Sequence, residues 1–367
     1  MKKLILSILK YLILPFAIIY GFIVFLRNKL YDWKIISSIH FSLPVICVGN
    51  ITVGGTGKSP HIEYLIELLS IQYKVATMSR GYRRVTRGFK VADQNSTARD
   101  IGDEPYQFKS KYPQITVCVA EERMTAVPLL LQQEQDTEII LLDDAFQHRT
   151  VIAGLNILLT DFDRLYTKDY IMPFGLLRES RAGAKRAEII VVSKCPNNLS
   201  ILEKEKLRKE INPLPYQHVF FSTIRYKNIY PLTSFHKNID INTHVLLVTG
   251  IANATPLLLH LKNDFSDVHH LPYKDHHYFT FDDLEEIKET FGNINTDNKI
   301  IITTEKDAAR LMLLQEKILE NQLPFYAQAI GIDILFDEQE KFNEEIIRFV
   351  HGFIPPLIEE ESTSDLV

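Results

Sequence analysis

The stretch GNITVGGTGKSP, residues 49–60, decides the fold of this chain. It follows the short apolar run PVICVGNIT (44–52) and precedes HIEYLIELLSIQ (61–72), where apolar residues recur at helical spacing. A glycine-rich turn between a strand and a helix is the setting of a phosphate-binding P-loop. The sequence therefore predicts a nucleotide-binding domain that begins here.

The glycines of this loop let backbone N–H groups face phosphate oxygens. Lys58 is predicted to reach the β- and γ-phosphates, and the Ser59 hydroxyl to ligate Mg²⁺. Thr52 stands where the strict P-loop pattern has its first glycine, so a chance glycine-rich turn is the alternative. The residues predicted to bind the nucleotide are Gly54, Gly55, Thr56, Gly57, Lys58 and Ser59.

A pair of carboxylates follows a second apolar run. EIILLDD (138–144) places Asp143 and Asp144 directly after four apolar residues. A P-loop enzyme needs a carboxylate at the end of another strand to orient its metal. We therefore predict that Asp143 and Asp144 act with Ser59 at a Mg²⁺ site; capping of a strand end is the alternative.

Strand-like and helical stretches alternate along much of the chain. Apolar runs lie at 73–80, 114–120, 155–161 and 188–194, with helical patterns between several of them. This alternation predicts an α/β fold with a mostly parallel sheet. A smaller α/β unit is indicated by HVLLVTGIANA (244–254) and KIIITTEKDAARL (299–311). The predicted segments are a membrane-anchor helix at 1–30, a P-loop domain at 31–218, a β ribbon at 219–232, a smaller α/β domain at 233–352 and a disordered tail at 353–367.

The N-terminus is strongly apolar. Residues 4–26 contain a single charged side chain, Lys10, and are long enough to cross a hydrocarbon core as a helix. A signal peptide and a buried core helix are the alternatives, but there is no small-residue cleavage pattern before Trp33. Arg27, Lys29 and Lys34 follow the run and favour a cytoplasmic location for the rest of the chain.

Charge and cysteine content exclude other classes of protein. The net charge of −5 over 367 residues argues against nucleic-acid binding, which needs a basic face. The 3 cysteines are scattered and form no CxxC or Cys/His cluster, so neither a disulfide framework nor a zinc site is indicated. No protein partner is inferred.

The nucleotide is predicted to be ATP. GTPases carry a lysine followed two residues later by an aspartate that reads guanine, after a strand. Here EIIVVSK (188–194) is followed by Cys195 and Pro196, so the lysine is present and the aspartate is absent.

Six ordered motifs together resemble the tetraacyldisaccharide 4′-kinase (lipid A 4′-kinase) family. They are GNITVGGTGKSP (49–60), SRGYRR (79–84), GDEP (102–105), DDAFQH (143–148), MPFGLLRE (172–179) and DHHYF (275–279). The resemblance extends from about residue 1 to residue 310 and includes the apolar N-terminus. It implies an inner-membrane enzyme facing the cytoplasm, with two α/β/α domains joined by a two-stranded linker at 219–232 and its site in the cleft.

The implied reaction moves the γ-phosphate of ATP to the 4′-hydroxyl of a tetraacylated glucosamine disaccharide 1-phosphate and forms lipid IVA. The resemblance implies that Asp103 is the catalytic base, that His276 orients it, and that Glu179 is a further acidic site residue. From the residues alone, Asp103 is better explained as a helix cap and His276 as part of a surface turn. Asp103 and His276 fall in the two different predicted domains. The residues predicted to bind the substrate are Arg80, Arg83, Glu104, Gln147, His148 and Arg178.

A competing function is a membrane-tethered P-loop ATPase or GTPase switch that acts on a protein partner. Such a switch shares the glycine loop and the aspartate pair. It leaves GDEP, the paired histidines and the second α/β unit without a role.

Overall fold

The structure, a computed structural model, describes residues 2–235 and 237–355, and for residues 2–11 the backbone only. Residues 356–367 of the predicted disordered tail lie outside the described residues. The strands are β1 (Val45–Gly49), β2 (Val75–Ser79), β3 (Lys90–Val91), β4 (Thr116–Val119), β5 (Ile139–Asp143), β6 (Leu155–Asp161), β7 (Ile189–Ser193), β8 (His218–Pro231), β9 (His244–Thr249), β10 (Asp267–Pro272), β11 (Lys299–Thr304) and β12 (Phe325–Ile334).

Helices connect most of these strands, as parallel pairing requires. They are α1 (Lys2–Asp32), α2 (Lys58–Leu69), α3 (Ala98–Ile101), α4 (Asp103–Lys111), α5 (Arg123–Gln133), α6 (Ile201–Ile211), α7 (Thr255–Asp264), α8 (Phe281–Gly292), α9 (Glu305–Leu311), α10 (Gln315–Glu320) and α11 (Gln339–His351). Short 3₁₀ turns lie at Tyr166–Lys168, Arg181–Arg186 and Met312–Leu314.

The chain forms two compact units. The first comprises residues 1–80, 114–224 and 332–367, and the second comprises residues 81–113 and 225–331. The chain passes from the first unit to the second within β8 and returns within β12.

The first unit contains a parallel sheet in the order β7-β6-β1-β5-β2-β4. Strands β1 and β5 are buried along their whole length, which is why both read as unbroken apolar runs. Because these strands are parallel, their carboxyl ends meet at one edge of the sheet, where the glycine loop and Asp143 lie.

The second unit contains a parallel sheet in the order β10-β9-β11-β12. Alternate residues of β9 pack on opposite faces of the sheet. Leu246 and Val248 contact the core formed with α8, and Val245 and Leu247 contact the core formed with α7. The predicted α/β class, with mostly parallel strands and an apolar N-terminal helix, is confirmed.

The division between the units differs from the predicted domain boundaries. Residues 81–113, predicted within the P-loop domain, belong to the second unit, where α4 packs against α9. Residues 332–352, predicted within the smaller domain, belong to the first unit, where Phe342 of α11 packs edge-on against Phe220 at a ring distance of 5.1 Å. Apolar periodicity identifies each helix but carries no information about which sheet the helix packs on.

Helix α1 lies in the first unit and has two unlike faces. Ala17 is buried and the Tyr20 hydroxyl donates to the Arg178 carbonyl at 2.9 Å. Phe16 and Phe22 point outward and are 67% and 63% exposed. Among the described residues, there is one helix that is long enough and apolar enough to cross a membrane, at Leu12–Asp32.

Candidate active site

The glycine loop joins β1 to α2. Gly54 and Gly57 adopt φ values of 115° and 81°, in a region that residues with a Cβ rarely occupy. Among the described residues, nothing lies within 4 Å of where a Cβ on Gly54 or Gly55 would be, so the loop is open at these two positions. Helix α2 begins at Lys58, so its N-terminus, which attracts anions, directly follows the loop. The loop geometry is that of a phosphate cradle.

His61 holds this loop in place through both of its ring nitrogens. Its Nδ1 lies 2.7 Å from the Gly57 carbonyl, and its Nε2 lies 3.0 Å from the Ser222 hydroxyl. Nδ1 must donate, because a carbonyl can only accept, so Nε2 accepts from Ser222. Burial lowers the pKa of His61 to about 4. The ring is therefore neutral at pH 7 and serves as a fixed bridge beneath the loop.

Two further side chains hold the loop. The Asn50 amide donates to the Thr56 hydroxyl at 2.9 Å. Lys194 donates to the Gly55 carbonyl and forms an ion pair with Asp161 at 2.7 Å. Lys194, which follows β7 and precedes Cys195 and Pro196, therefore supports the loop from the end of that strand.

Asp143 and Asp144 lie beside the loop, as predicted. Val48 of β1 pairs with Asp143 of β5, so the buried Asp143 carboxylate ends the strand next to the one that enters the loop. Asp144 has a φ of 50°, a strained conformation that aspartate tolerates better than most residues. The Lys58 Nζ lies 3.5 Å from an Asp144 oxygen.

This set of oxygens fits a magnesium ion. Ser59 offers a hydroxyl, and Asp143 and Asp144 offer carboxylates, the hard oxygen ligands that Mg²⁺ prefers. Ser59 and Asp143 are buried, while Asp144 is partly exposed. Residues that end β5 and begin α2 thus provide the predicted metal ligands.

Arg178 also contacts the acidic pair. Its Nη1 lies 3.4 Å from Asp144 and 3.4 Å from the Gln147 side-chain oxygen. Gln147 in turn donates to the Asn50 carbonyl at 2.5 Å. Burial, and then the positive charges of Arg123 and Arg80, lower the pKa of His148 to about 4. The predicted substrate-binding residues Gln147, His148 and Arg178 therefore lie around the metal carboxylates.

Glu179 has an environment unlike that of an acid or base. It is fully buried, and both of its oxygens accept from Arg186, at 2.7 and 3.0 Å. Asn28 of α1 donates to it at 2.9 Å and Gln147 at 3.3 Å. Four donors therefore occupy the two oxygens of Glu179. Through these hydrogen bonds the carboxylate links α1 to Gln147.

The second unit brings Asp103 and His276 together. An Asp103 oxygen lies 3.7 Å from His276 Nδ1, and the same oxygen accepts from Arg310 Nε at 2.8 Å. Both residues belong to one unit, although the sequence placed them in two domains. The packing of α4 on α9 carries the GDEP segment next to the turn that holds His276.

Asp103 does not cap α4. Gly102 is the N-cap residue, and no described side chain makes a capping hydrogen bond at this helix end. The other Asp103 oxygen is buried and has no hydrogen-bond partner among the described residues. His276 has a φ of 59°, a strained conformation of the kind that is common at functional sites. An Asp103 oxygen without a partner among the described residues, beside a strained histidine, is an arrangement that can accept a proton.

Arg310 fixes this pair from inside the unit. It is 1% exposed and donates to Asp307 at 2.9 Å and to the His277 carbonyl at 3.3 Å. Asp307 accepts from the Gly250 amide at 2.9 Å. The guanidinium thus connects Asp103 to the turn that contains His276.

The three arginines of the SRGYRR motif, Arg80, Arg83 and Arg84, fall in different units. Arg80 is exposed and belongs to the first unit, while the other two belong to the second. Arg83 donates to the His276 carbonyl at 3.3 Å, and Arg84 donates to Gly88 at 2.5 Å within its own loop. Arg83 thus contacts His276 of the Asp103–His276 pair, whereas these hydrogen bonds of Arg84 stay within residues 84–88.

Glu104 lies next to Asp103 and pairs with Lys306 at 2.5 Å, where both line a small cleft with Tyr82. Sequence reasoning missed Lys306, Arg310, Arg186 and Asn28. Lys306, Arg310 and Asn28 have partners more than 150 residues away in the sequence, and Glu179 is 7 residues from Arg186. The spacing of Asp307 and Arg310 on one helix was the one local signal available.

Comparison with known proteins agrees with this geometry. The family model described as tetraacyldisaccharide-1-P 4′-kinase matches residues 9–351. A tetraacyldisaccharide 4′-kinase of Bacteroides thetaiotaomicron is 47% identical over 351 residues, covering 92% of each chain. One of Flavobacterium johnsoniae is 43% identical over 352 residues, covering 95% of this chain and all of the relative.

A solved structure is also similar. The crystal structure of LpxK from Aquifex aeolicus in complex with ATP superimposes with a TM-score of 0.72 at 26% identity, covering 93% of this chain and 99% of that one. The resemblance seen in the six motifs is confirmed. The chain belongs to the tetraacyldisaccharide-1-phosphate 4′-kinase family.

Proposed function

We propose that this chain transfers the γ-phosphate of ATP to the 4′-hydroxyl of a tetraacylated glucosamine disaccharide 1-phosphate and so forms lipid IVA in lipid A biosynthesis. The observation that carries the proposal is the open glycine loop ending at Lys58, beside the Asp143–Asp144 pair, in a chain of this kinase family. ATP is the expected donor, as in the similar Aquifex structure.

The first unit holds the donor. Lys58 and Arg178 supply positive charge near Asp144, where negative charge develops on the transferring phosphoryl group. Ser59, Asp143 and Asp144 would hold Mg²⁺, which, when bound, neutralises the charge on the phosphate oxygens. Positioning and electrostatic stabilisation therefore carry this half of the reaction.

The second unit supplies the base. The Asp103 oxygen that has no partner among the described residues accepts the proton of the 4′-hydroxyl while the sugar oxygen bonds to phosphorus and the bond to ADP breaks. Arg310 holds the other oxygen at 2.8 Å, and His276 stands beside it at 3.7 Å, so the carboxylate has a fixed orientation. Asp103 is thus the base, and Arg310 is a positioning residue.

Substrate contacts are assigned by charge and position. Arg80, Arg83 and Arg178 offer cations to the phosphates, and Glu104, Gln147 and His148 offer polar contacts to the sugars. Neutral His148 can both donate and accept a hydrogen bond at pH 7, because its pKa is about 4. Glu179 is assigned a positioning role, because Arg186 and Asn28 occupy its oxygens.

The apolar face of α1 attaches the enzyme to the inner membrane, with the rest of the chain on the cytoplasmic side. Outward-facing Phe16 and Phe22 suit an acyl-chain environment, and Arg27 and Lys29 follow at the end of the helix. An acceptor with acyl chains resides in the same membrane. Membrane attachment therefore brings the enzyme to its substrate.

The test is direct. Purified protein in detergent is incubated with ATP, Mg²⁺ and the tetraacylated disaccharide 1-phosphate, and the lipid is analysed by mass spectrometry. We expect one added phosphate on the non-reducing sugar and an equal amount of ADP.

Two controls accompany this test. Lys58→Ala should give no product, and an acceptor already phosphorylated at the 4′ position should not react. ATP or GTP hydrolysis at the full rate without any lipid, and no phosphorylated lipid, would indicate the competing switch function instead.

A further inference from the structure

One buried arginine of the first unit is only partly satisfied. Arg123 begins α5 and is 1% exposed. Its Nη1 donates to the Glu121 carbonyl at 2.9 Å. Its Nε and Nη2 are buried and make no hydrogen bond within residues 2–235 and 237–355. Burying charged donors without partners is costly, so this edge of the guanidinium is suited to an absent ligand.

The two open nitrogens have a specific geometry. Nε–H and Nη2–H point the same way from the planar guanidinium, and together they form the edge that binds two oxygens of one carboxylate or phosphate. Arg310, also 1% exposed, shows the contrasting case, because its Nε donates to Asp103 and its Nη1 to Asp307. A buried arginine with only a structural role would resemble Arg310.

Arg123 lies at the edge of the sheet that carries the phosphate site. It follows β4, and Val119 of β4 pairs with Ser79 of β2. Met78 of β2 pairs with Leu142 of β5, one residue before Asp143. Parallel strands bring the segments that follow them to one edge. Burial and the nearby Arg80 lower the pKa of Arg123, while the closeness of Asp143 and Asp144 raises it.

We propose that Arg123 is a phosphate-binding residue whose open Nε–H and Nη2–H edge grips two oxygens of one phosphoryl group in the active site. This inference rests on the proposed function for the identity of the phosphoryl group. The group is either the γ-phosphate of ATP or the 1-phosphate of the lipid acceptor. Lysine cannot replace arginine here, because an ammonium lacks the two parallel donors.

The experiment compares Arg123→Lys and Arg123→Met with the wild type. Titration calorimetry of ATP and ADP with Mg²⁺ measures nucleotide affinity without any transfer of phosphate. If the γ-phosphate is the ligand, Arg123→Lys should weaken ATP about 10- to 100-fold and leave ADP unchanged, as expected for a charged hydrogen-bonded pair.

If the acceptor's 1-phosphate is the ligand, ATP and ADP affinities should be unchanged. The KM for the lipid should then rise by a similar factor for the 1-phosphate acceptor and not for the same disaccharide without that phosphate. Arg348→Met, which removes an exposed arginine of α11, should alter none of these constants.

Thermal melting separates binding from structure. Because the open edge has no partner among the described residues, Arg123→Met without nucleotide should melt at or above the wild-type temperature. If the γ-phosphate is the ligand, ATP should raise its melting temperature less than that of the wild type. A melting temperature several degrees lower, or failure to fold, would make Arg123 structural and overturn the proposal. So would a folded Arg123→Lys protein with wild-type constants for ATP, ADP and lipid. A protein that binds ATP and never phosphorylates the lipid overturns the proposed function instead, and the ATP titrations remain decisive for Arg123.

Discussion

The glycine loop of the first unit and the Asp103–His276 pair of the second unit are built in opposite ways. The loop is one continuous stretch between β1 and α2, and it is held by neighbours such as Asn50 and His61. The pair joins residues 173 positions apart in the chain, with Arg310 from a third segment between them. A phosphate cradle can be encoded locally because backbone N–H groups make it, whereas a positioned base needs packed side chains.

The difference also appears in how each site is held. The loop depends on glycines with positive φ, on the neutral partners Asn50 and His61, and on Lys194, which is paired with Asp161. The Asp103 site depends on a buried charge network of Asp307, Arg310 and Asp103. Removing one member of such a network leaves the others uncompensated in a buried environment. Substitutions in the two units should therefore fail in different ways.

Lys58→Ala should have the largest effect. It removes the charge at the mouth of the loop and should lower kcat roughly 10³- to 10⁵-fold, the range for a charge that stabilises a transferring phosphoryl group. The change in kcat is measured by following the transfer of phosphate from radiolabelled ATP to the lipid. Lys209→Ala, which removes an exposed lysine of α6, is the matched control. A folded Lys58→Ala protein with most of its rate would refute the assignment of the loop.

Asp103→Asn should lower kcat by roughly 10²- to 10⁴-fold, the usual contribution of a general base. The dissociation constant of ATP should stay near the wild-type value, because the loop and the metal carboxylates belong to the other unit. Steady-state kinetics and ATP titration measure the two quantities. Asp282→Asn, at the exposed start of α8, controls for loss of charge alone.

Adding His276→Ala to Asp103→Asn sharpens this result. If the two residues act together, the double variant should lose much less than the product of the single losses. Losses that multiply fully would show that His276 acts independently of Asp103. An unchanged kcat in Asp103→Asn would leave Asp103 with a structural role only.

Acid should weaken the loop through His61. Its pKa is about 4 in the folded state against 6.5 in the unfolded chain, so the unfolded chain binds the proton more readily between these values. Stability is complete above pH 6.5 and falls by up to about 3 kcal/mol as the pH drops towards 4. Thermal melting between pH 7.5 and 4.5 should show a smaller decrease for His61→Asn than for the wild type.

His351→Asn, at the exposed end of α11, is the control for this acid effect. His148, whose pKa is also about 4, titrates in every variant, so the difference between proteins isolates His61. An equal acid loss in His61→Asn and the wild type would mean that burial of His61 does not contribute to the pH dependence.

The sequence predicted the strands and helices better than it predicted which of them pack together. Runs such as EIILLDD and EIIVVSK identified β5 and β7, because strands buried on both faces are continuously apolar. The edge strand β10 was missed, since its residues alternate in exposure and include two adjacent histidines. Nothing local marked residues 81–113 as part of the second unit, because that assignment depends on α4 meeting α9.

The same reasoning explains the site. Lys58, Ser59, Asp143 and Asp144 were identifiable because a motif and a strand end fix them. Asp103 and His276 came from the family resemblance alone. Arg310, Arg186 and Asn28 were missed, because each acts through a side chain more than five residues away in sequence, and charge patterns carry no information about such pairs.

Helix α1 gives the smallest effect on the chemistry and a clear effect on location. Phe16→Glu with Phe22→Glu places two charges on the outward face, each costing about 3 kcal/mol in a hydrocarbon core. The double variant should leave the membrane fraction, while its kcat in detergent stays close to that of the wild type. Tyr20→Phe should do the reverse, because it keeps the apolar face and removes only the hydrogen bond to the Arg178 carbonyl. It should stay in the membrane fraction, with a modest loss of kcat through Arg178. Fractionation of cells and assays in detergent measure both quantities. A double variant that remains membrane-bound would show that the outward face of α1 is not what attaches this kinase to a membrane. A double variant that is folded but inactive in detergent would show that this face also serves the chemistry.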